Sequence, residues 1–154
     1  MTPTQLKDWI KKVASSTGQT NQTIMRDYML NKMLEKISAS KYQNNFVLKG
    51  GFLIQSLYGI DRRATQDIDI TLKELSLDEA NARTVLHEIF KTPTEEGIDF
   101  SDWSVKSIRL EANYPGLRIK GNARLGRLTQ PIEMDLTTGD SIYPSPVFMN
   151  NVFC

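Results

Sequence analysis

The sequence predicts an α+β fold in which N-terminal helices pack on a small, mixed, mostly antiparallel sheet. Apolar residues recur at helical spacing over residues 1–40. Residues 105–138 instead contain three segments in which polar and apolar side chains alternate, as they do in half-buried strands. The chain has 154 residues, 40% apolar and 24% charged, which is typical of one globular domain. We therefore expect a single domain over residues 1–154.

The bulk composition argues against several classes of protein. The formal net charge of +1 provides no overall attraction to nucleic acid. The single cysteine, Cys154, cannot form an internal disulfide. No apolar run reaches the ~20 residues that a membrane-spanning helix needs, and the N-terminal segment lacks the apolar core of a signal peptide. We therefore expect a cytoplasmic protein that does not associate with a membrane.

Capping residues and periodicity predict the order of the elements. A first helix begins at Thr2-Pro3 and ends near Gly18, because proline favours the first helical position and glycine the position after the last. A second helix covers residues 20–40. The remaining predicted elements are a short buried strand or helix end at 46–48, a helix at 52–59, a strand at 67–73, a helix capped by Ser76 or Asp78 that ends at Lys91, a loop at 92–102, and strands at 105–113, 117–125 and 131–138.

The stretch FVLKGGFLIQSLYGIDRRATQDIDI, residues 46–70, carries the first chemical signal. Asp67 and Asp69 are alternate residues of a predicted strand, so both side chains point to one face. Two carboxylates at this distance resist ionisation unless a divalent cation lies between them, and Mg²⁺ prefers carboxylate oxygens. The alternative interpretation of this pair is a strand that exposes its polar face to water.

A second pair of carboxylates lies in PIEMDLTTGD, where Glu133 and Asp135 share one face of another predicted strand. If this strand lies beside the first, Asp135 joins Asp67 and Asp69 in a set of three carboxylates. Such a set can hold two cations for in-line displacement at phosphorus. If a hydroxyl group is the attacking group in such a displacement, Asp135 is also the carboxylate best placed to accept its proton. Glu133 remains a rival for the third position, and an exposed strand face remains the alternative.

Glycines and basic residues near the first aspartate pair suit the binding of phosphate. Gly50 and Gly51 precede a predicted helix, and a turn without β-carbons lets backbone N–H groups approach a phosphate closely. Lys49, Arg62 and Arg63 flank this region and can neutralise phosphate oxygens. Each signal alone is weak. The combined order of glycine turn, helix, paired aspartates and a later carboxylate strand is more specific.

This order resembles that of the nucleotidyltransferase superfamily. LKGGFLIQSLYGIDRRATQDIDI together with EMDLTTGDSIYP is similar to the AbiEii/AbiGii toxin family of type IV toxin–antitoxin and phage abortive-infection systems. The resemblance implies a Mg²⁺-dependent transfer of a nucleoside monophosphate from an NTP to an RNA, such as a tRNA, or to a protein hydroxyl. It also implies a cognate antitoxin encoded alongside.

The resemblance assigns roles to residues that match the family's motifs. The Arg-x-Ser/Thr step before the paired aspartates corresponds to Arg63 and Thr65. Family members usually continue into a helical half that contributes further site residues, and we expect such a half to be absent from this chain. Two alternatives to an active enzyme follow, namely a nucleotide- or RNA-binding remnant without turnover and a structural or interaction domain. The assigned residues are Asp67, Asp69 and Asp135 for metal binding and catalysis, and Lys49, Gly50, Gly51, Arg63 and Thr65 for nucleotide binding.

Several other residues carry weaker signals. Trp9 and Trp103 are more simply interpreted as packing residues than as platforms for base stacking. His87 has no cysteine or second histidine near it in the sequence. Alternation puts Arg118 and Lys120 on one strand face, where they follow an RNA backbone or form a solvated face. The solvated face is the favoured interpretation.

Overall fold

The computed structural model describes residues 2–49, 68–75, 78–109, 115–137 and 147–148. These residues form an α+β structure, which confirms the predicted fold class. The predicted helix at 52–59 lies outside the described residues. The helices are α1 (Pro3–Thr17), α2 (Asn21–Ser38) and α3 (Glu79–Phe90), and the strands are β1 (Phe46–Lys49), β2 (Ile68–Leu72), β3 (Asp99–Arg109), β4 (Pro115–Leu125), β5 (Leu128–Thr137) and β6 (Val147–Phe148).

The helix ends follow the capping residues. The side chain of Thr2 accepts a hydrogen bond from the backbone N–H of Gln5, and the Gln5 side chain accepts one from the Thr2 N–H, so α1 begins with a capping box. It ends at Gly18, whose φ of 78° is left-handed. The carboxylate of Asp78 caps α3 by accepting from the Asn81 N–H at 2.7 Å. No helix in the described ranges is both long and apolar enough to cross a membrane.

The strands form one six-stranded sheet in the order β3-β4-β5-β2-β1-β6. The pairing of β2 with β5 is parallel, whereas the other strand pairs of the described chain are antiparallel. β3, β4 and β5 form a meander, as their successive placement in the sequence predicts. β4 and β5 are joined by a two-residue turn at Gly126 and Arg127, where Gly126 has a φ of 59°. The sheet is therefore mixed and mostly antiparallel, as expected.

One face of the sheet carries the core. The buried stripes of the helices join apolar side chains from β1 to β5 in a single cluster. Ile68 and Ile70 of β2 are fully buried in it, as are Met134 and Leu136 of β5. Removing such a side chain from water contributes roughly 1.5–3 kcal/mol. Because strand side chains alternate, the residues between these positions must face the other side of the sheet.

The structure corrects one predicted loop. β3 begins at Asp99, whereas the sequence predicted a loop that continues to Asp102. The chain turns earlier, since Gly97 has a φ of 86° and its N–H bonds to the Thr94 carbonyl at 2.9 Å. The extended strand starts directly after this turn, with Phe100 buried in the core. The residues of this segment that face away from the core are polar and lie at the solvent. The sequence pattern therefore resembled that of a loop.

Candidate active site

The parallel pairing of β2 with β5 places Asp69 directly beside Asp135. The residue pairs on either side of them are apolar and buried in the core. Because side chains alternate along a strand, Asp69 and Asp135 share the opposite face. Asp69 is exposed there, and Asp135 is buried. The expected neighbourhood of the two strands is confirmed, and the chemical roles of the two carboxylates stay a prediction.

Asp135 is a buried carboxylate that is neutralised by an arginine from the adjacent strand. Arg118 of β4 lies opposite Asp135 in register. Its Nε donates to Oδ1 at 2.9 Å and its Nη2 donates to Oδ2 at 3.1 Å, which makes the pair bidentate. Only 6% of the Asp135 side chain is exposed, and a carboxylate buried to this extent requires such compensation. The side chain of Lys120 is 66% exposed and that of Arg118 is 35% exposed, so the solvated face favoured from the sequence holds for Lys120, whereas Arg118 combines partial exposure with this ion pair.

A row of charged residues crosses this face of the sheet. From β3 to β1 the backbone register aligns Lys106, Arg118, Asp135, Asp69 and Lys49. The two acids occupy the centre of the row, and basic residues occupy the positions on both sides of them. Within the row, Arg118 and Asp135 are neighbours of opposite charge and stabilise each other, whereas Lys106 and Arg118, and likewise Asp135 and Asp69, are neighbours of like charge, which is unfavourable without a counter-ion. An acidic pair between basic positions is also suited to a cation that carries an anionic ligand.

Glu133, the rival for the third carboxylate position, lies on the same face two residues before Asp135. It is opposite Lys120 in register, and the Lys120 Nζ lies 3.5 Å from its Oε1. The Nε of Arg118 is 3.7 Å from the same oxygen. In the described ladder it is Asp135 that pairs with Asp69, while Glu133 precedes the first aligned pair. The geometry therefore favours Asp135 as the partner of Asp69.

Only part of the predicted site lies within the described residues. Asp69 and Asp135 are described with their side chains, and Lys49 is the last residue of β1, opposite Asp69 in register. In the described ranges, no three His, Cys, Asp or Glu side chains are grouped closely enough to hold a metal ion. The predicted site residues outside the described ranges are Gly50, Gly51, Arg63, Thr65 and Asp67.

The two aligned carboxylates have the donor chemistry that Mg²⁺ requires. Their oxygens are hard ligands of the kind this ion prefers. Arg118 engages each oxygen of Asp135 once, which leaves a second lone pair on each for a cation. On the same face, two residues beyond Asp69, the hydroxyl of Thr71 is buried and has no hydrogen-bond partner among the described residues. Asp69 and Asp135 thus fit as two ligands of a magnesium site.

Arg118 is the site residue that reasoning from the sequence missed. A usable signal existed, since the two-residue turn at Gly126 and Arg127 sets the register of the β4–β5 hairpin. Counting back from this turn pairs Arg118 with Asp135 and Lys120 with Glu133. The two alternations, basic in β4 and acidic in β5, therefore belong to one cross-strand set of ion pairs.

Comparisons with known proteins give the family and the fold. The family model described as nucleotidyl transferase AbiEii toxin, type IV toxin–antitoxin system, matches residues 32–150. No curated protein sequence matches the chain.

Two crystal structures from Helicobacter pylori share the fold, namely a nucleotidyltransferase-like protein and JHP933. Their TM-scores are 0.53 and 0.52, and their sequence identities are 13% and 14%. Each aligns with 81% of this chain, which spans 49% and 47% of their respective lengths. At this identity the likeness concerns the fold alone, and the chain spans about half the length of these structures.

Proposed function

The chain belongs to the AbiEii nucleotidyl transferase toxin family, and from this premise we propose that it transfers a nucleoside monophosphate from an NTP to an RNA hydroxyl in the presence of Mg²⁺. The observation that carries the proposal is the alignment of Asp69 with Asp135 on one face of the sheet. Two adjacent carboxylates with basic residues beside them match the requirements of phosphoryl chemistry.

The proposed reaction is an in-line displacement at the α-phosphorus of the NTP. The oxygen of the acceptor hydroxyl forms the new bond to phosphorus, the bond to the α–β bridging oxygen breaks, and pyrophosphate leaves. When bound, Mg²⁺ neutralises charge on the phosphate oxygens. Asp69 and Asp135 would hold the cation, with Asp67 as the third carboxylate. Catalysis then depends on positioning and on charge neutralisation.

Asp69 is better suited than Asp135 to accept the proton of the attacking hydroxyl. The sequence alone favoured Asp135 for this role. Both oxygens of Asp135, however, already accept hydrogen bonds from Arg118, and its side chain is 6% exposed. Asp69 is exposed on the same face, where an acceptor hydroxyl can reach it. We therefore assign to Asp69 the role of accepting the proton of the acceptor hydroxyl.

The nucleotide is proposed to lie on the β1 side of the two carboxylates. Lys49 ends β1 opposite Asp69, and a glycine pair follows it directly in the sequence. Backbone amides of a glycine turn and a lysine charge suit a polyphosphate. The residues proposed to contact the nucleotide are Lys49, Gly50, Gly51, Arg63 and Thr65.

The family also points to a partner. Its members are toxins of type IV toxin–antitoxin systems, so a cognate antitoxin encoded alongside is proposed as the partner of this chain. The proposed biological role is phage defence by abortive infection. The cytoplasm is the proposed compartment, because NTPs and RNA occur together there.

Two assays test the proposed function. Thermal unfolding of the chain with Mg²⁺ and each NTP reports binding, and incubation of total RNA with NTPs labelled at the α-phosphorus reports transfer. We expect a Mg²⁺-dependent rise in the unfolding temperature and labelled RNA. Asp69→Asn and Asp135→Asn should each weaken Mg²⁺-dependent binding by at least about tenfold and strongly reduce both signals. Asp8→Asn is the matched control, since Asp8 is an exposed acid of α1 and its replacement should leave both signals unchanged.

The outcomes separate the alternatives. Binding without transfer identifies a nucleotide-binding remnant that has lost turnover. Label on protein instead of RNA identifies a protein acceptor. The absence of any Mg²⁺-dependent binding of NTP contradicts the proposed function and leaves a structural or interaction domain.

A further inference from the structure

The sheet face that carries Asp69 and Asp135 also carries a pair of basic residues beside them. Lys106 of β3 and Arg118 of β4 are directly opposite each other in register, and alternation puts both side chains on this face. Residues directly opposite on neighbouring strands have β-carbons about 4.5–5.5 Å apart. Like charges at this distance are destabilising unless an ion of opposite charge joins them. Just as the two acids suit a cation, this basic pair suits an anion.

The chain itself supplies no acid for Lys106. Its side chain is exposed, and it forms no ion pair with any acid of the described ranges. Two further acids of this face are engaged elsewhere, since Glu133 lies 3.5 Å from the Lys120 ammonium and Asp102 accepts from Arg124 at 2.7 Å. Lys106 is therefore available to an anionic ligand.

The basic pair lies between the carboxylates and the edge of the sheet. β3 is an edge strand of the described sheet, and β4, β5 and β2 follow it in order. Neighbouring strands are about 4.8 Å apart, so the centre of the basic pair is two strand spacings, roughly 10 Å, from the centre of the Asp69–Asp135 pair. An anion held there is too distant to be the reacting phosphate, but a chain of phosphates can reach both positions. Such a polymer can also extend past β3, because the described sheet ends there.

A second ammonium group extends the basic surface along β4. Lys120 lies on the same face two residues beyond Arg118, and its side chain is exposed. It is a diagonal neighbour of Lys106, at roughly 7–8 Å. Ser104, which is also exposed, lies opposite Lys120 in register. Lysine, arginine and serine side chains of this kind contact the phosphates and sugars of a nucleic-acid backbone without reading its sequence.

The position of the basic pair distinguishes the acceptor from the donor. The donor NTP was assigned to the β1 side of the carboxylates, where Lys49 lies, whereas the basic pair is on the β3 side. We propose that Lys106 and Arg118 bind a backbone phosphate of the acceptor RNA and that Lys120 binds the phosphate next to it. The acceptor then enters over β3, with its hydroxyl directed to Asp69. This inference rests on the proposed function, since it places the acceptor beside the reacting centre.

Binding of a fluorescently labelled single-stranded RNA of about ten nucleotides, measured by anisotropy over a range of salt concentrations, tests the basic pair. Lys106→Gln should weaken binding about fivefold and reduce the salt slope by roughly 0.7, whereas Lys106→Arg should retain binding. Lys11→Gln is the matched control, because Lys11 is an exposed lysine of α1, and it should change the affinity less than about twofold. Equal losses in Lys106→Gln and Lys11→Gln would show that binding follows net charge, and would overturn the inference.

Thermal unfolding without RNA separates a binding role from a structural one. Lys106→Gln removes a contact between like charges, so the unfolding temperature should stay the same or rise slightly. A lower unfolding temperature that accompanies the loss of RNA binding would assign Lys106 a structural role, and would overturn the inference.

The donor serves as the internal control. Lys106→Gln should leave the Mg²⁺-dependent thermal shift with NTP intact. In the transfer assay it should raise the KM for RNA about fivefold and leave kcat unchanged, because the contact is made equally before and during the reaction. Loss of the thermal shift with NTP in this variant would assign the basic pair to the donor, and would overturn the inference. Absence of that shift in the unmodified chain would instead contradict the proposed function itself, so the two failures are distinguishable.

Discussion

The two faces of the sheet are stabilised in different ways, even at adjacent residues of the same two strands. On the helix-covered face, Ile70 and Leu136 are aligned and buried among apolar side chains. On the other face, one residue earlier in each strand, Asp69 is exposed and Asp135 is buried against Arg118. Apolar burial is favourable and non-directional, whereas burial of a charge is unfavourable until it is compensated. The helix-covered face therefore supplies stability, whereas the charged face keeps carboxylates whose burial has to be compensated.

Truncation on the helix-covered face should have the largest effect on stability. Ile70 is fully buried, so Ile70→Ala removes apolar contacts and leaves a cavity. We expect the free energy of unfolding to fall by about 2–5 kcal/mol, compared with about 0.5–1.5 kcal/mol for Ile70→Val. Urea unfolding measures both values. A loss below about 1 kcal/mol for Ile70→Ala would contradict the assignment of stability to this face.

Replacement of the ion pair on the charged face should have a smaller and partly reversible effect. Arg118→Met leaves the buried carboxylate of Asp135 without its two hydrogen bonds, and should cost about 1–3 kcal/mol. Adding Asp135→Leu removes the stranded charge, and should restore stability to within about 1 kcal/mol of the unmodified chain. Urea unfolding of the two single variants and the double variant measures the coupling. Additive losses in the double variant would show that this face also stabilises the fold.

The smallest expected effect is a change in how stability depends on pH, caused by Asp102 at the edge of the charged face. Hydrogen bonds from Asn122 and Arg124 hold the pKa of Asp102 below its ordinary value. Because the pKa of Asp102 is lower in the folded state, its hydrogen bonds stabilise the fold at pH values above its ordinary pKa of 3.8. This contribution is lost as the pH falls through the folded pKa. Asp102→Asn should therefore flatten the fall of the unfolding temperature below about pH 4. Parallel curves for the variant and the unmodified chain would refute this contribution.

Elements with local signals were predictable from the sequence. α1 begins and ends where Thr2, Pro3 and Gly18 predict, because capping and backbone conformation depend only on neighbouring residues. The three-strand meander followed from alternation and short connections. The capping of α3 by Asp78 was one of two stated possibilities, and the structure confirms it.

Non-local features were less predictable. The proposed site required β2 and β5 to be neighbours in the sheet. This could not be predicted, because no local pattern dictates that two strands about 60 residues apart in the sequence pair in parallel. The burial of Asp135 also depends on this packing, and the alternating pattern alone was compatible with an exposed face.

Calorimetric titration with Mg²⁺ and a non-hydrolysable NTP most directly tests whether Asp69 and Asp135 act as one cation site. The unmodified chain, Asp69→Asn, Asp135→Asn and the double variant form a cycle. We expect each single substitution to weaken Mg²⁺-dependent binding of the nucleotide by at least about tenfold, and the double variant to bind no more weakly than either. Unchanged binding in the single variants, or losses that multiply in the double variant, would contradict a shared site.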